Sequence, residues 1–274
     1  MTLSAKIATL LGEDALSMAL NEARDHVKSD PGDKHARHLY IDLLIVAGDY
    51  EKADAQCSLA ATFSPEDTMG FALLRNQLRA MAARDAWFQS GAVPSFPNGP
   101  TALDRAAIDM ALSVREGSVD NTQDALSRLD EQRGEQAMIW NGKQVADFRD
   151  LDDRLPHALE ALMTGGAYLW VDFSRIASVT VEPIERPRDL AFRRAELSLK
   201  DGATAPVLLP AIYHGTGNEP RLRLGRETEW VEEAGITTGR GQRCFLAGDE
   251  LVSFHDARSF GVEPAGERES VMNG

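Results

Sequence analysis

Lys34–Pro65 reads KHARHLYIDLLIVAGDYEKADAQCSLAATFSP. Leu39, Tyr40, Leu43, Leu44 and Val46 recur at helical spacing, which predicts a helix over roughly 34–47 with one face available for burial. Gly48 ends it, because glycine enters the left-handed backbone region without a Cβ penalty. Asp49 is placed to cap a second helix by accepting a backbone N–H. Ala53 and Ala60 lie seven apart on that helix and share a face, where small side chains let a neighbouring helix come close. Pro65 stops the hairpin.

This stretch resembles a tetratricopeptide unit, with Gly48, Tyr50, Ala53, Ala60 and Pro65 at the expected positions and Arg37 and Ile41 departing from the pattern. A lone hairpin cannot bury its own apolar face, so neighbours are required. A degenerate copy precedes it, in which Gly12–Pro31 echoes Gly48–Pro65. Thr68–Gly91, Ala102–Gly117 and Gln123–Arg133 read as further helices. A generic helical-hairpin bundle without true repeats is the alternative. GAVPSFPNGP over 91–100 reads as a rigid loop inside the helical half.

Near Trp140 the periodicity changes. Asp152–Pro156 is followed by an expected short helix to about Met163, and then the period becomes two. Ala167–Val171, Ile176–Glu182, Leu190–Lys200, Val207–Tyr213, Leu222–Glu232 and Gln242–Leu246 read as strands. Short strands with glycine turns and no long helices between them imply an antiparallel sheet curled into a small barrel. The expected class is therefore α+β. A tetratricopeptide-like helical domain spans 1–149, a β-rich domain 150–263, and a disordered polar tail 264–274.

The 274-residue chain carries 29 Lys and Arg against 43 Asp and Glu, a net charge of −14. The excess is even, −7 over residues 1–149 and −6 over 150–263, and no basic patch suggests nucleic acid or an anionic membrane as partner. An acidic surface favours a basic peptide, if anything. Cys57 and Cys244 have no metal or disulfide spacing. The N-terminus lacks a basic start and a long apolar core, so no signal peptide is expected, and no run of ~18 apolar residues exists. A reducing, cytoplasmic location is the expectation.

Four strings in order extend the reading to the whole chain: Asp152-Asp-Arg-Leu-Pro-His-Ala-Leu-Glu160, Gly166-Ala-Tyr-Leu-Trp-Val171, Leu224-Gly-Arg-Glu-Thr-Glu-Trp230 and Gly241-Gln-Arg243. With the GDYEKA–SP hairpin they resemble the ImpE/TagJ (SciE-type) accessory proteins of type VI secretion systems, from about Leu3 to Glu263. The resemblance implies a non-catalytic adaptor that binds the small sheath subunit TssB and, in some systems, the disassembly ATPase ClpV. It assigns no contact residues, and the strings themselves read as fold-keeping. Self-association is left open.

His35, His38 and Asp42 stand at i, i+3 and i+7 on the first helix of the hairpin, and Ile45 follows one turn on. In a tetratricopeptide hairpin this face lines the concave groove. The four residues are thus candidate partner contacts, with Ile45 as an apolar anchor for an amphipathic helix; a plain polar surface is the competing reading. Imidazoles and a carboxylate are also metal-ligand types, but no further ligand is evident, so neither metal nor cofactor is expected. Gly239-Arg-Gly-Gln-Arg243 reads as a hairpin turn, lacking the Gly-Lys-Ser/Thr ending of a phosphate loop. Arg193, Arg194, Arg221 and Arg223 read as solvated strand charges, and the four tryptophans as core. No Gly-x-Ser-x-Gly or His-Glu-x-x-His is present. An enzyme alternative, a hydrolase or nucleotide-dependent activity, requires a pocket in the β half around Arg226, Glu227 and Trp230.

Overall fold

The computed structural model describes residues 1–63 and 68–262. Seven helices come first: α1 (Leu3–Gly12), α2 (Leu16–Ser29), α3 (Lys34–Ala47), α4 (Tyr50–Phe63), α5 (Thr68–Ser90), α6 (Ala102–Glu116) and α7 (Val119–Arg133). Gly48 is left-handed (φ 79°) and its N–H returns to the carbonyls of Leu44 and Ile45. The carboxylates of Asp33 and Asp49 accept from the N–H groups of Ala36 and Lys52, satisfying donors that a helix start leaves open. Ala53, Cys57 and Ala60 form the buried stripe of α4. α1 to α5 pack each on the next, and α6 pairs with α7. Pro65 and the 264–274 tail lie outside the described residues.

The strands are β1 (Met138–Trp140), β2 (Lys143–Val145), β3 (Phe148–Asp150), β4 (Ala158–Met163), β5 (Tyr168–Asp172), β6 (Ile176–Val181), β7 (Phe192–Leu199), β8 (Thr204–Pro210), β9 (Thr228–Glu233), β10 (Ile236–Gly241), β11 (Cys244–Ala247), β12 (Glu250–Ser253) and β13 (Ser259–Gly261), with a single-turn helix α8 (Pro220–Arg223) before β9. Eight of them form one antiparallel sheet in the order β2-β1-β13-β6-β7-β8-β4-β5; β12-β11-β3 and β10-β9 make two small sheets.

The expected small barrel is not formed: the sheet is open, with β2 and β5 at opposite ends. The reason lies in its two faces. Ala158, Leu162, Tyr168, Trp170, Phe192 and Leu208 pack into the helical core. Leu159, Ala161, Val171, Leu197, Val207 and Leu209 alternate with them and pack with Phe148, Phe245 and Phe254 in a second core. A sheet with different layers on both sides has no single interior to curl around. Its β5 edge is closed by the proline-bearing loop instead. Ser95 N–H donates to the Tyr168 carbonyl at 2.9 Å, and its own carbonyl accepts from Trp170 N–H at 3.1 Å. Flanking Pro94 and Pro97 keep that strap from growing into a ninth strand.

Other expectations are also revised. Residues 158–163, ALEALM, are a strand rather than a helix. Their residue types favour helix in isolation, but both faces of this strand are covered. Leu222–Glu232 divides into α8 and β9. Gly239–Gly241 belongs to β10, and the hairpin turn is Ala234–Gly235, both with positive φ. Arg193 is buried, and its guanidinium donates to the carbonyls of Glu182 (2.6 Å) and His255 (3.0 Å). Trp230 is 40% exposed, unlike the other three tryptophans.

Candidate functional site

A cleft of about 840 Å³ opens where α1, α3 and the segment after β6 meet. Helix α1 supplies Ser4, Ile7 and Leu11, and α3 supplies His35, His38, Leu39 and Asp42 from one face. Ile184–Pro187 and Leu190 form the opposite wall, and Arg226 reaches in from beyond α8. The floor is apolar, through Ile7, Leu11, Leu39 and Leu190. The rim carries imidazoles, Glu185 and two guanidinium groups. The volume falls within the range of about 300–1,000 Å³ common to ligand sites.

Each rim group is held in place. His35 Nε2 and Ser4 Oγ lie 2.7 Å apart, fixing α3 to α1. The His38 ring stacks on Phe71 of α5, with centroids 4.7 Å apart. Asp42 is 1% exposed, and Arg186 donates to both its oxygens through Nε at 2.6 Å and Nη2 at 2.8 Å. Burial raises the Asp42 carboxyl pKa, and the Arg186 hydrogen bonds and charge pull against that rise. Arg226 Nε meets Asp14 at 2.7 Å, and its Nη2 donates to the Leu11 carbonyl at 2.7 Å. The β half therefore folds back over the face of α3 that carries His35, His38 and Asp42, and a 3-10 turn at Pro187–Leu190 packs on that helix.

His35, His38 and Asp42 line the cleft together. Ile45 does not; it is fully buried on α3, which is covered nearly all round. The Asp42 carboxylate faces the cleft but is already occupied by Arg186. Ile184 and Arg186 have no counterpart in the sequence reading, and Arg226 figures there only in the enzyme alternative, as part of a pocket in the β half. They come from 142 to 184 residues further along the chain than Asp42, and no local periodicity links such segments. The charged, proline-bearing string Glu185-Arg-Pro-Arg-Asp189 is the one local sign of a structured turn.

A second constellation is buried between α5 and the sheet. Alternation along β4 turns Glu160 toward the helices, where its carboxylate accepts from Arg84 Nε (2.7 Å) and Nη2 (3.0 Å), from Tyr168 Oη (2.6 Å) and from Arg243. Burial opposes its ionisation, but Arg84 and Arg243 more than offset this and hold its carboxyl well below the usual range. Asp150 lies nearby, 3.5 Å from Arg243 and 2.9 Å from Tyr213 Oη. Burial pushes its pKa up to about 7, against the pull of Arg243. Asp152 holds Arg154 and accepts from Gly239 N–H at 2.9 Å. His157 Nε2 meets Asp104 at 3.0 Å, tying the start of β4 to the capping box of α6. The residues of the Asp152–Glu160 and Gly241–Arg243 strings thus form one sealed polar joint between the two halves. The space left around it is only about 10 Å³, too small for a substrate.

A third hollow of about 220 Å³, walled by Trp87, Phe88, Met110, Arg115, His214 and Ile236 among others, lies where α5, α6 and the β9–β10 hairpin meet. Arg226 lines the α1–α3 cleft, whereas Glu227 pairs with Arg221 and Trp230 stands on the hairpin surface; the three do not build a common pocket there. Among the described residues no group of three His, Cys, Asp or Glu side chains is placed to hold a metal ion, and no helix is long and apolar enough to cross a membrane.

Comparison with known proteins gives concordant matches. The family described as ImpE protein matches residues 142–260. The type VI secretion system accessory component TagJ of Pseudomonas aeruginosa is 28% identical over 261 residues, covering 93% of this chain and 90% of that protein. The crystal structure of protein VPA1032 from Vibrio parahaemolyticus superposes with a TM-score of 0.86 at 26% identity, over 96% of this chain and 98% of that one.

Proposed function

Because the chain is a distant but consistent match, in sequence and in fold, to the ImpE/TagJ proteins, we propose that it is a non-catalytic accessory adaptor of a type VI secretion system, working in the cytoplasm through protein–protein contacts. The observation that most supports this reading is the cleft between α1, α3 and Ile184–Leu190. It offers apolar anchoring positions inside a polar rim, the pattern that grips an amphipathic helix. The guest in this proposal is a short helix of a TssB-like sheath subunit. Its apolar residues would enter between Leu39 and Ile184, with His35 and His38 along its polar flank. Asp42 acts through Arg186, which holds the far wall, and Ile45 backs the floor from within the core. Linking the sheath to a ClpV-type ATPase is the wider role that fits such a scaffold.

Calorimetric titration with the N-terminal peptide of the cognate sheath subunit tests this. Binding is expected, and Ile184→Glu, at a residue 40% exposed, should weaken it about tenfold or more by putting a charge at the apolar wall, with Tm unchanged. No heat of binding at high micromolar peptide, with the protein folded, removes this reading.

A further inference from the structure

The β9–β10 hairpin stands apart from the main sheet, and its two edges differ. The outer edge of β10 is closed: Thr237 exchanges hydrogen bonds with Asp153 (2.7 and 3.0 Å), and Gly239 N–H donates to Asp152. The outer edge of β9 has no strand beside it. The register pairs Glu233 with Ile236 across the two-residue turn, then Val231 with Thr238 and Glu229 with Arg240. In an antiparallel ladder these alternate pairs take the internal hydrogen bonds, in keeping with the bond from Gln242 N–H to the Glu227 carbonyl. The backbone groups of Trp230 and Glu232 therefore point outward, and among the described residues they meet no partner. The hairpin is also held still. Its turn rests at Gly235 on Val119 and Gln123 of α7, and Trp230 packs edge-on against Tyr213 at 5.8 Å.

The side chains along this edge select what can join it. Glu229 and Glu233 project from one face, beside Glu227, which already pairs with Arg221, and with Arg240 across the ladder from Glu229; Trp230 and Glu232 project from the other. Glu229, Glu232 and Glu233 have no ion-pair partner among the described residues. Two copies of β9 pairing with each other would set these carboxylates against one another, which disfavours a homodimer through this edge. An extended segment with Lys or Arg at alternate positions meets the glutamate face with its cations and lays its intervening apolar side chains beside Trp230.

We propose that the free edge of β9 is a second docking site, which takes a basic, extended segment of a protein partner as a third strand of the β9–β10 sheet. Six residues of β9 span about 20 Å, enough to fix the register of such a segment. The site is separate from the α1–α3 cleft and does not depend on what that cleft binds.

The test uses the full-length protein and the acetylated, amidated peptide Lys-Val-Lys-Val-Lys-Val-Lys, followed by fluorescence anisotropy and amide hydrogen exchange. Binding is expected to weaken with salt and to slow exchange at the Trp230 and Glu232 amides. Replacing the valines of the peptide by proline keeps its charge but removes donors, and should weaken binding by about tenfold or more. Glu232→Pro should do the same, while Glu232→Gln stays within about threefold. The proposal is overturned if no binding occurs, if the proline peptide binds as well as the valine peptide, or if the two amides exchange unchanged. It is equally overturned by a concentration-dependent dimer that Glu232→Pro abolishes, because the edge would then serve a second copy.

Discussion

Replacing Glu160 by glutamine should loosen the joint between helices and sheet more than any surface change can. The side chains of Arg84, Glu160 and Arg243 are 4%, 2% and 3% exposed, so neither guanidinium can turn to water when the carboxylate is lost. A carboxamide keeps the shape but offers a single acceptor oxygen where the carboxylate receives Arg84, Arg243 and Tyr168. Its NH₂ group would face cations. Breaking a buried pair from one side costs about 3–5 kcal/mol, and for a chain of this size that corresponds to a fall in Tm of roughly 6–20 °C. Urea denaturation followed by far-UV circular dichroism gives the free energy, and calorimetry the transition shape. Because Glu160 joins α5 to β4, its loss should also separate one cooperative transition into two. The double change Arg84→Met with Glu160→Leu leaves Arg243 to pair with Asp150 and should cost less than Glu160→Gln alone. A cost under about 1 kcal/mol for Glu160→Gln would refute the argument, since it would mean that the joint admits water.

Further outcomes follow from the same joint and from the wall of the α1–α3 cleft. Asp150 has a folded pKa of about 7, above its unfolded value, so the folded state binds more protons between about pH 4 and 7 and stability falls as pH rises through that window, by up to about 1.4 kcal/mol per unit. Asp150→Asn should flatten that fall; parallel stability curves for the two proteins between pH 5 and 8 would contradict it. Glu160, held low, acts in the opposite sense below that window, losing its contribution as pH drops. Arg186→Met should cost about 1–3 kcal/mol, because it leaves the buried Asp42 with only the looser Arg188 contact at 3.9 Å, while Arg186 itself is one-third exposed. It should also raise amide exchange over 184–190, and unchanged exchange there would count against the wall being tied down by this pair.

The first half of the chain was legible because its signals are local. Gly48, Asp49 and the Ala53–Ala60 stripe each act within a turn or two of their own helix, and the structure uses them as the spacing implies. The second half was less so. ALEALM carries helix-forming residue types, and only burial on both faces makes it a strand. The barrel was inferred from strand count, whereas closure depends on which layers cover the sheet, a property no single strand encodes. The cleft shows both sides: three of the α3 residues proposed from periodicity do share it, while its far wall comes from Ile184–Leu190 and Arg226. Ile45 falls on the same helix line but lies inside, because α3 is packed on more sides than an isolated hairpin would be. Trp230 reads as core from its apolar sequence context, and the hairpin carries it outward instead.

The position of β13 has a consequence for how the chain reaches its native state. Though last in order among the described strands, it sits between β1 and β6, where it joins the β1–β2 ribbon to the remaining five strands. The ribosome must therefore release the chain through Gly261 before the two blocks can zip together. Until then β6 presents a bare margin to every nascent neighbour. Such late, long-range closure is slow and exposes sticky intermediates, so the rate at which this seam shuts, more than the final stability, should govern how much of the newly made protein escapes aggregation.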